Sequence, residues 1–285
     1  MSFSLPAEIN FTTLAIFSAL FGGLANIFVK RVVERVRPEY ALAPGFLFIA
    51  ASLALFSPWF YSFSATREAI GAIFLVILID GIANYYYFKT FVQSEVSIAT
   101  PLLSVAPLFT FVFGWFFLAE AVSAPKLAAA VCIVVLLVIF SWDRRDIRRF
   151  ERGTLAPAII SAVLFGASAI PAKYLLSTLG ALNAPTLYMF RALAIGAVLS
   201  LVYRRAYATI KQGDYRFIFL QAAMAIGQWL LLYSALSRGE SGITVTLANT
   251  VPIFTFIFGA LFLRERITVK KVVATALVIG LVLVV

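Results

Sequence analysis

Residues 107–120 read Pro-Leu-Phe-Thr-Phe-Val-Phe-Gly-Trp-Phe-Phe-Leu-Ala-Glu, and residues 252–265 read Pro-Ile-Phe-Thr-Phe-Ile-Phe-Gly-Ala-Leu-Phe-Leu-Arg-Glu. Nine of the 14 positions are identical, and they include Pro, Thr, Gly and Glu, which chance likeness between apolar segments does not supply. The same offset pairs Glu95 with Glu240, Ile98 with Ile243, Leu102 with Leu247 and Lys126 with Lys271. A nearly equal offset pairs Ser18-Ala19 with Ser161-Ala162, Gly23 with Gly166 and Lys30 with Lys173. The chain therefore reads as a duplication. Its units are predicted at 1–142 and 154–285, joined by a basic loop at 143–153.

What is duplicated is a set of apolar helices. Of 285 residues, 62% are hydrophobic and 13% are charged, whereas a soluble domain runs nearer ~45–50% and ~25%. A water-soluble fold of this size could not cover so much apolar surface, so lipid must solvate most of it. Ten segments are predicted, near 12–33, 42–60, 69–90, 96–119, 123–141, 154–176, 185–203, 215–236, 243–263 and 268–285. Each is long enough to cross a hydrocarbon core of ~30 Å at ~1.5 Å per residue. A barrel would show alternating strands of ~10 residues, which the sequence lacks. The expected fold is all-α, a polytopic membrane protein of ten transmembrane helices in two five-helix repeats.

Five is an odd number, so the second repeat must insert upside down relative to the first. The charges agree. Of 23 Lys and Arg, 18 fall in the connections that follow odd-numbered segments. The other five are Arg67, Lys126, Lys173, Arg191 and Arg238. Cytoplasmic loops concentrate Lys and Arg, which places both termini outside the cytoplasm of a cell inner or plasma membrane. The net charge of +10 is explained by these loops, and no nucleic-acid partner is expected.

Several chemistries are excluded. Without histidine there is no imidazole relay, no His-based triad and no His-ligated metal site. Cys132 is a single cysteine in an apolar run, so it forms no internal disulfide. No phosphate-binding Gly-x-x-x-x-Gly-Lys-Ser/Thr loop exists, and no cofactor or metal is expected. The first ten residues lack the basic start of a cleaved signal peptide.

Two repeats of five segments, with a repeated Pro-x-Phe-Thr-Phe-x-Phe-Gly-(x)3-Leu-x-Glu signature in the fourth and ninth, resemble the EamA type of the drug/metabolite transporter superfamily. The resemblance spans nearly the whole chain. It implies ten-helix carriers of small metabolites with a central cavity, and fifth and tenth segments that stand apart from it and serve packing or dimer contacts. It also implies cytoplasmic termini, which the charge distribution here opposes.

The candidate site follows from what is costly in lipid. Pro107 and Pro252 occupy matching places inside the fourth and ninth segments, where a missing N–H frees a carbonyl one turn earlier. Paired interruptions in inverted repeats point to a transport site or to packing kinks. Ser104 and Asn249 precede them at matching positions. Asp80 lies mid-segment with Asn84 one turn on, and a carboxylate there costs at least ~2.5–3.5 kcal/mol. It suits a cation or a coupling proton, with a buried pair to Arg191 as the structural alternative. Gln228, Trp229, Tyr233 and Asn26 complete the candidate binding set, Trp229 as a face for a planar or cationic ligand. Tyr86 and Tyr87 read as interfacial anchors. The cavity is expected between segments one, three, four, six, eight and nine.

The expected function is a secondary or facilitative carrier of a small molecule, working as a monomer or homodimer in the bilayer by rocking its two halves. An intramembrane enzyme on a lipid-linked substrate and a channel-like protein are the alternatives. The enzyme fits poorly with 13 acids, mostly in loops, and no histidine.

Overall fold

The computed structural model describes residues 9–92, 96–121, 123–141, 152–262, 269, 273 and 277. These residues form helices and connecting turns, with one isolated antiparallel bridge between Phe63 and Leu182. The helices are α1 (Phe11–Val33), α2 (Pro38–Phe60), α3 (Arg67–Val92), α4 (Val96–Leu103), α5 (Ala106–Leu118), α6 (Ala124–Ser141), α7 (Arg152–Lys173), α8 (Ala184–Val202), α9 (Tyr215–Leu236), α10 (Ser241–Ala248) and α11 (Val251–Phe262). A π-helical turn, Tyr174–Thr178, continues α7. Most of the connecting loop 143–153, most of the tenth segment and the repeated Glu265 lie outside the described residues.

Among the described residues, seven helical stretches are long and apolar enough to span a bilayer, and shorter apolar helices accompany them. Their outward faces carry Leu55, Phe74, Phe116, Leu201 and Leu261, all strongly exposed, which water would not tolerate at this density. Cys132 is also on an exposed face. The chain is thus an integral, multi-pass, all-helical membrane protein.

Two boundaries differ from expectation. The fourth segment is two helices, α4 and α5, broken at Ser104–Val105, and the ninth is α10 and α11, broken at Asn249–Thr250. Pro107 and Pro252 offer no N–H to the carbonyls of Leu103 and Ala248, so neither helix can run through. The two breaks are built alike. Leu108 N–H donates to Val105 O at 3.1 Å, and Ile253 N–H donates to the matching Thr250 O at 3.0 Å. Pro38 starts α2, four residues before the predicted second segment, and Pro44 sits inside it. A proline in the first turn lacks an N–H that would be unsatisfied there anyway.

Packing crosses between the halves. α1 packs most extensively on α9, α11 and α10, all from the second half. Its counterpart α7 packs on α3, α5 and α4, all from the first. α2 lies against α8. Repeat-related residues make the matching contacts. Ser18 Oγ donates to Gln228 O at 2.8 Å, and Ser161 Oγ donates to the equivalent Ala83 O at 3.0 Å. A Cβ on Gly23 would stand 2.6 Å from Phe254 Cβ and 2.9 Å from Thr255 N; one on Gly166 would stand 2.9 Å from Phe109 Cβ and 3.2 Å from Thr110 N. The duplicated Phe-Thr pair is thus the seat of a duplicated glycine, where backbones approach closely. Two bundles result, one of α1, α9, α10 and α11, the other of α3, α4, α5 and α7. Neither coincides with a half of the sequence.

Candidate functional site

A cavity with about 1190 Å³ of empty space, its mouth included, lies between the bundles. Both helix breaks line it, through Leu103, Ser104 and Ala106 on one side and Ala248, Asn249 and Val251 on the other. Segments one, three, four, six, eight and nine contribute, as expected. So do α2, through Ala41 to Ile49, and α8, through Tyr188 and Arg191, which the sequence reading left out. No described side chain of α6 lines it.

The charge at the site is arranged differently from the expectation. Asp80 does not line the cavity; Arg191 does. Arg191 Nε stands 2.8 Å from Asp80 Oδ2, and both side chains are 0% exposed. Arg191 Nη1 donates to Tyr233 Oη at 3.0 Å, and Tyr233 Oη–H donates to Asp80 Oδ2 at 3.3 Å. The guanidinium carbon lies 3.7 Å from the centre of the Trp229 ring. Trp229 therefore does face a cation, but the cation is Arg191. The carboxylate that looked solitary is sealed behind an arginine and a tryptophan. A buried carboxylate needs a counter-charge, and α8 brings it from more than a hundred residues away.

The remaining candidates divide by what their polar atoms already do. Asn26 is committed: its Nδ2 donates to Thr100 Oγ1 and Thr255 Oγ1, each at 3.2 Å, and Tyr87 Oη–H donates to its Oδ1. Tyr87 is thus a cavity-lining group rather than an interfacial anchor. Asn84 Nδ2 donates to Asp80 O at 2.8 Å, Ser104 Oγ to Thr100 O at 3.0 Å and Asn249 Nδ2 to Val245 O at 2.8 Å. These bonds return to the preceding helical turn. The carboxamides of Gln228 and of Gln221, a residue the sequence reading missed, line the cavity with no partner among the described residues. Phe165 stands 5.6 Å from Trp229 and 6.0 Å from Tyr87, giving an aromatic wall.

Besides the Tyr233–Asp80 bond between α9 and α3, two sets of bonds tie the bundles near the ends of the cavity. Near one end, Asn26 of α1 holds Thr100 of α4 and Tyr87 of α3. At the other, Glu120 follows the residue that caps α5, Ala119, which is left-handed at φ 51°. That turn aims Glu120 at the start of α10. Its Oε1 and Oε2 accept from Ser241 N at 3.0 and 3.1 Å, and Lys173 Nζ donates to Oε1 and, at 2.7 Å, to Gly239 O. A carboxylate at a helix N-terminus satisfies open donors and meets the positive end of the helix dipole. Burial pushes the Glu120 carboxyl up, but Lys173 and Ser241 outweigh it and hold it below the ordinary glutamate value. Gly114 leaves room for this, since a Cβ there would lie 2.9 Å from Glu120 Oε2.

A sequence profile of the EamA-like transporter family matches residues 11–142 and, a second time, residues 154–285. Among solved structures, one described as "Crystal structure of protein" is similar over 96% of this chain and 95% of that chain, with a TM-score of 0.69 and 12% identity. That likeness concerns the fold alone. No curated protein matches by sequence.

Proposed function

The chain belongs to the EamA-like transporter family, and from that premise we propose that it is a secondary or facilitative carrier of a small molecule that works by alternating access. The observation that carries this reading is the pair of repeat-related helix breaks that line one cavity between two bundles. Unwound backbone at membrane depth is tolerated where it faces a cavity. Ten spans complete the architecture, the tenth supplied by the segment near 268–285, and the repeats are inverted. The moving bodies are the two mixed bundles rather than the sequence halves, because α1 and α7 each pack on the opposite half. Opening one end requires release of Glu120 from Ser241; opening the other requires release of Asn26 from Thr100 and Tyr87. Asp80 and Arg191 join α3 to α8, and Tyr233 of α9 bonds both. The termini lie outside the cytoplasm, as the 18 loop cations argue, and the chain works as a monomer or homodimer.

The test is solute counterflow into nucleotide-free proteoliposomes. Saturable, competable uptake that accelerates when the lumen holds unlabelled substrate is expected. Absolute dependence on nucleotide, or uptake linear in concentration without counterflow, would overturn the carrier. A reporter fused at the C-terminus tests the orientation separately.

A further inference from the structure

We infer that the solute is recognised as an uncharged, hydrogen-bonding molecule with a planar apolar face, and that Gln228 and Gln221 read its polar edge. This rests on the carrier reading and names the substrate class of that same cavity. The argument begins with the charges. Among the described residues that line the cavity, Arg191 is the charged side chain. It is fully buried, with Nε against Asp80, Nη1 bonded to Tyr233, Nη2 without a partner and its guanidinium carbon 3.7 Å from the centre of the Trp229 ring. An entering anion would compete for a guanidinium whose charge Asp80 already neutralises at 2.8 Å. An entering cation would meet that guanidinium with Asp80 hidden behind it. Either ion would lose its water without gaining a counter-charge, which is costly.

The accessible polar groups are of another kind. The carboxamides of Gln221 and Gln228 have no partner among the described residues, and both line the cavity. They are seven residues apart on α9, two helical turns and one face, so they stand about 10 Å apart along the axis. Each offers one acceptor and one N–H pair, which complements an amide, lactam or similar neutral edge. Gln228 is seated at the ninth-segment break: its Nε2 and Val251 Cγ2 both converge on the place a Cβ of Gly22 would fill, at 3.0 and 2.9 Å. The aromatic wall of Phe165, Trp229 and Tyr87 stands beside it. A carboxamide that must be paired discriminates strongly against a solute that lacks the matching group.

The experiment uses matched triads that share a ring and differ in charge: benzamide, benzoate and benzylammonium, and nicotinamide, nicotinate and 3-picolylammonium. Purified full-length protein is titrated with each, and thermal stability is read. The amide of at least one triad is expected to raise the midpoint, with affinity at least tenfold above its ionic partners. Gln228→Leu should lose that shift, and Gln228→Glu should move the preference to the ammonium member. A shift largest for a charged member of the unaltered protein, no shift from either amide, or an amide shift that survives Gln228→Leu overturns the inference. Uptake of the same compounds separates the two readings. Transport of a charged member leaves the carrier standing without this inference, and binding of an amide that is never transported does the reverse.

Discussion

Replacing Arg191 with Met while leaving Asp80 in place should be among the most damaging single changes in the molecule. Both side chains are 0% exposed, and Nε and Oδ2 are 2.8 Å apart. Removing one member of such a pair leaves an uncompensated buried charge and costs ~3–5 kcal/mol, roughly two to four decades in the folding equilibrium. Asp80→Leu should fall at the low end of that range, because the guanidinium keeps the Tyr233 hydroxyl and the Trp229 face. The double variant Asp80→Leu with Arg191→Met removes both charges together. What it orphans is the Tyr233 hydroxyl, worth ~1–3 kcal/mol. The double variant should therefore be more stable than Arg191→Met alone, with a coupling energy of at least about 2 kcal/mol. The assay is unfolding by SDS titration from mild detergent, followed by circular dichroism, for the four members of the cycle. If the two single effects simply add, the side chains do not act on one another, and the claim that Asp80 is a sealed structural partner fails.

Other outcomes follow from the same contacts. Glu120→Gln should lower stability by about 1–2 kcal/mol, since charged hydrogen bonds to Ser241 and Lys173 become neutral ones. Because the folded-state pKa of Glu120 lies below its unfolded value, its contribution is full above the unfolded value and declines as pH falls through the folded one; a stability profile in acid should show this loss in the native protein and lack it in Glu120→Gln. Gly23→Ala and Gly166→Ala should each cost ~1–3 kcal/mol by forcing backbones apart, whereas Gly71→Ala, where a Cβ meets nothing within 4 Å, should be neutral or stabilising by up to ~1 kcal/mol; thermal midpoints decide it. Ser18→Ala and Ser161→Ala should lose equal stabilities of ~1 kcal/mol, because they remove repeat-equivalent bonds to Gln228 O and Ala83 O.

The duplication made much of this visible in the sequence. Hydropathy located the helices, and the repeated proline located both breaks, because a missing N–H acts wherever a helix runs. The repeated glycines and serines stood out for the same reason: a contact used twice leaves two copies. What the repeat does not contain was harder to see. Asp80 faces Ala225 in the alignment and Arg191 has no twin, so the sequence offered their pairing only as an alternative to a cavity role, and the fold decides for it by presenting Arg191 of α8 to α3. The same gap turned Trp229 from a ligand platform into the cover of an internal cation. Tyr87 near the end of α3 read as an anchor because position along a helix is legible and direction around it is not; only the packing of α1 shows that its hydroxyl meets Asn26. Gln221 and Gln228 share a helix face, but which face meets the cavity is decided by α1 and α2.

The most direct test of the central claim is pairwise distance measurement by double electron–electron resonance at both ends of the bundle interface. With Cys132 replaced by serine, one sample carries spin labels at the exposed positions Glu34 and Lys89, on α1 and α3, and the other at the exposed positions Thr13 and Ala121, on α1 and beyond α5. Alternating access by the two mixed bundles requires that each pair show two distances and that their populations move in opposite directions, so that Glu120→Gln lengthens the Thr13–Ala121 distance while shortening the Glu34–Lys89 distance. Single, unchanging distances at both ends, or distances that lengthen together, would contradict the account.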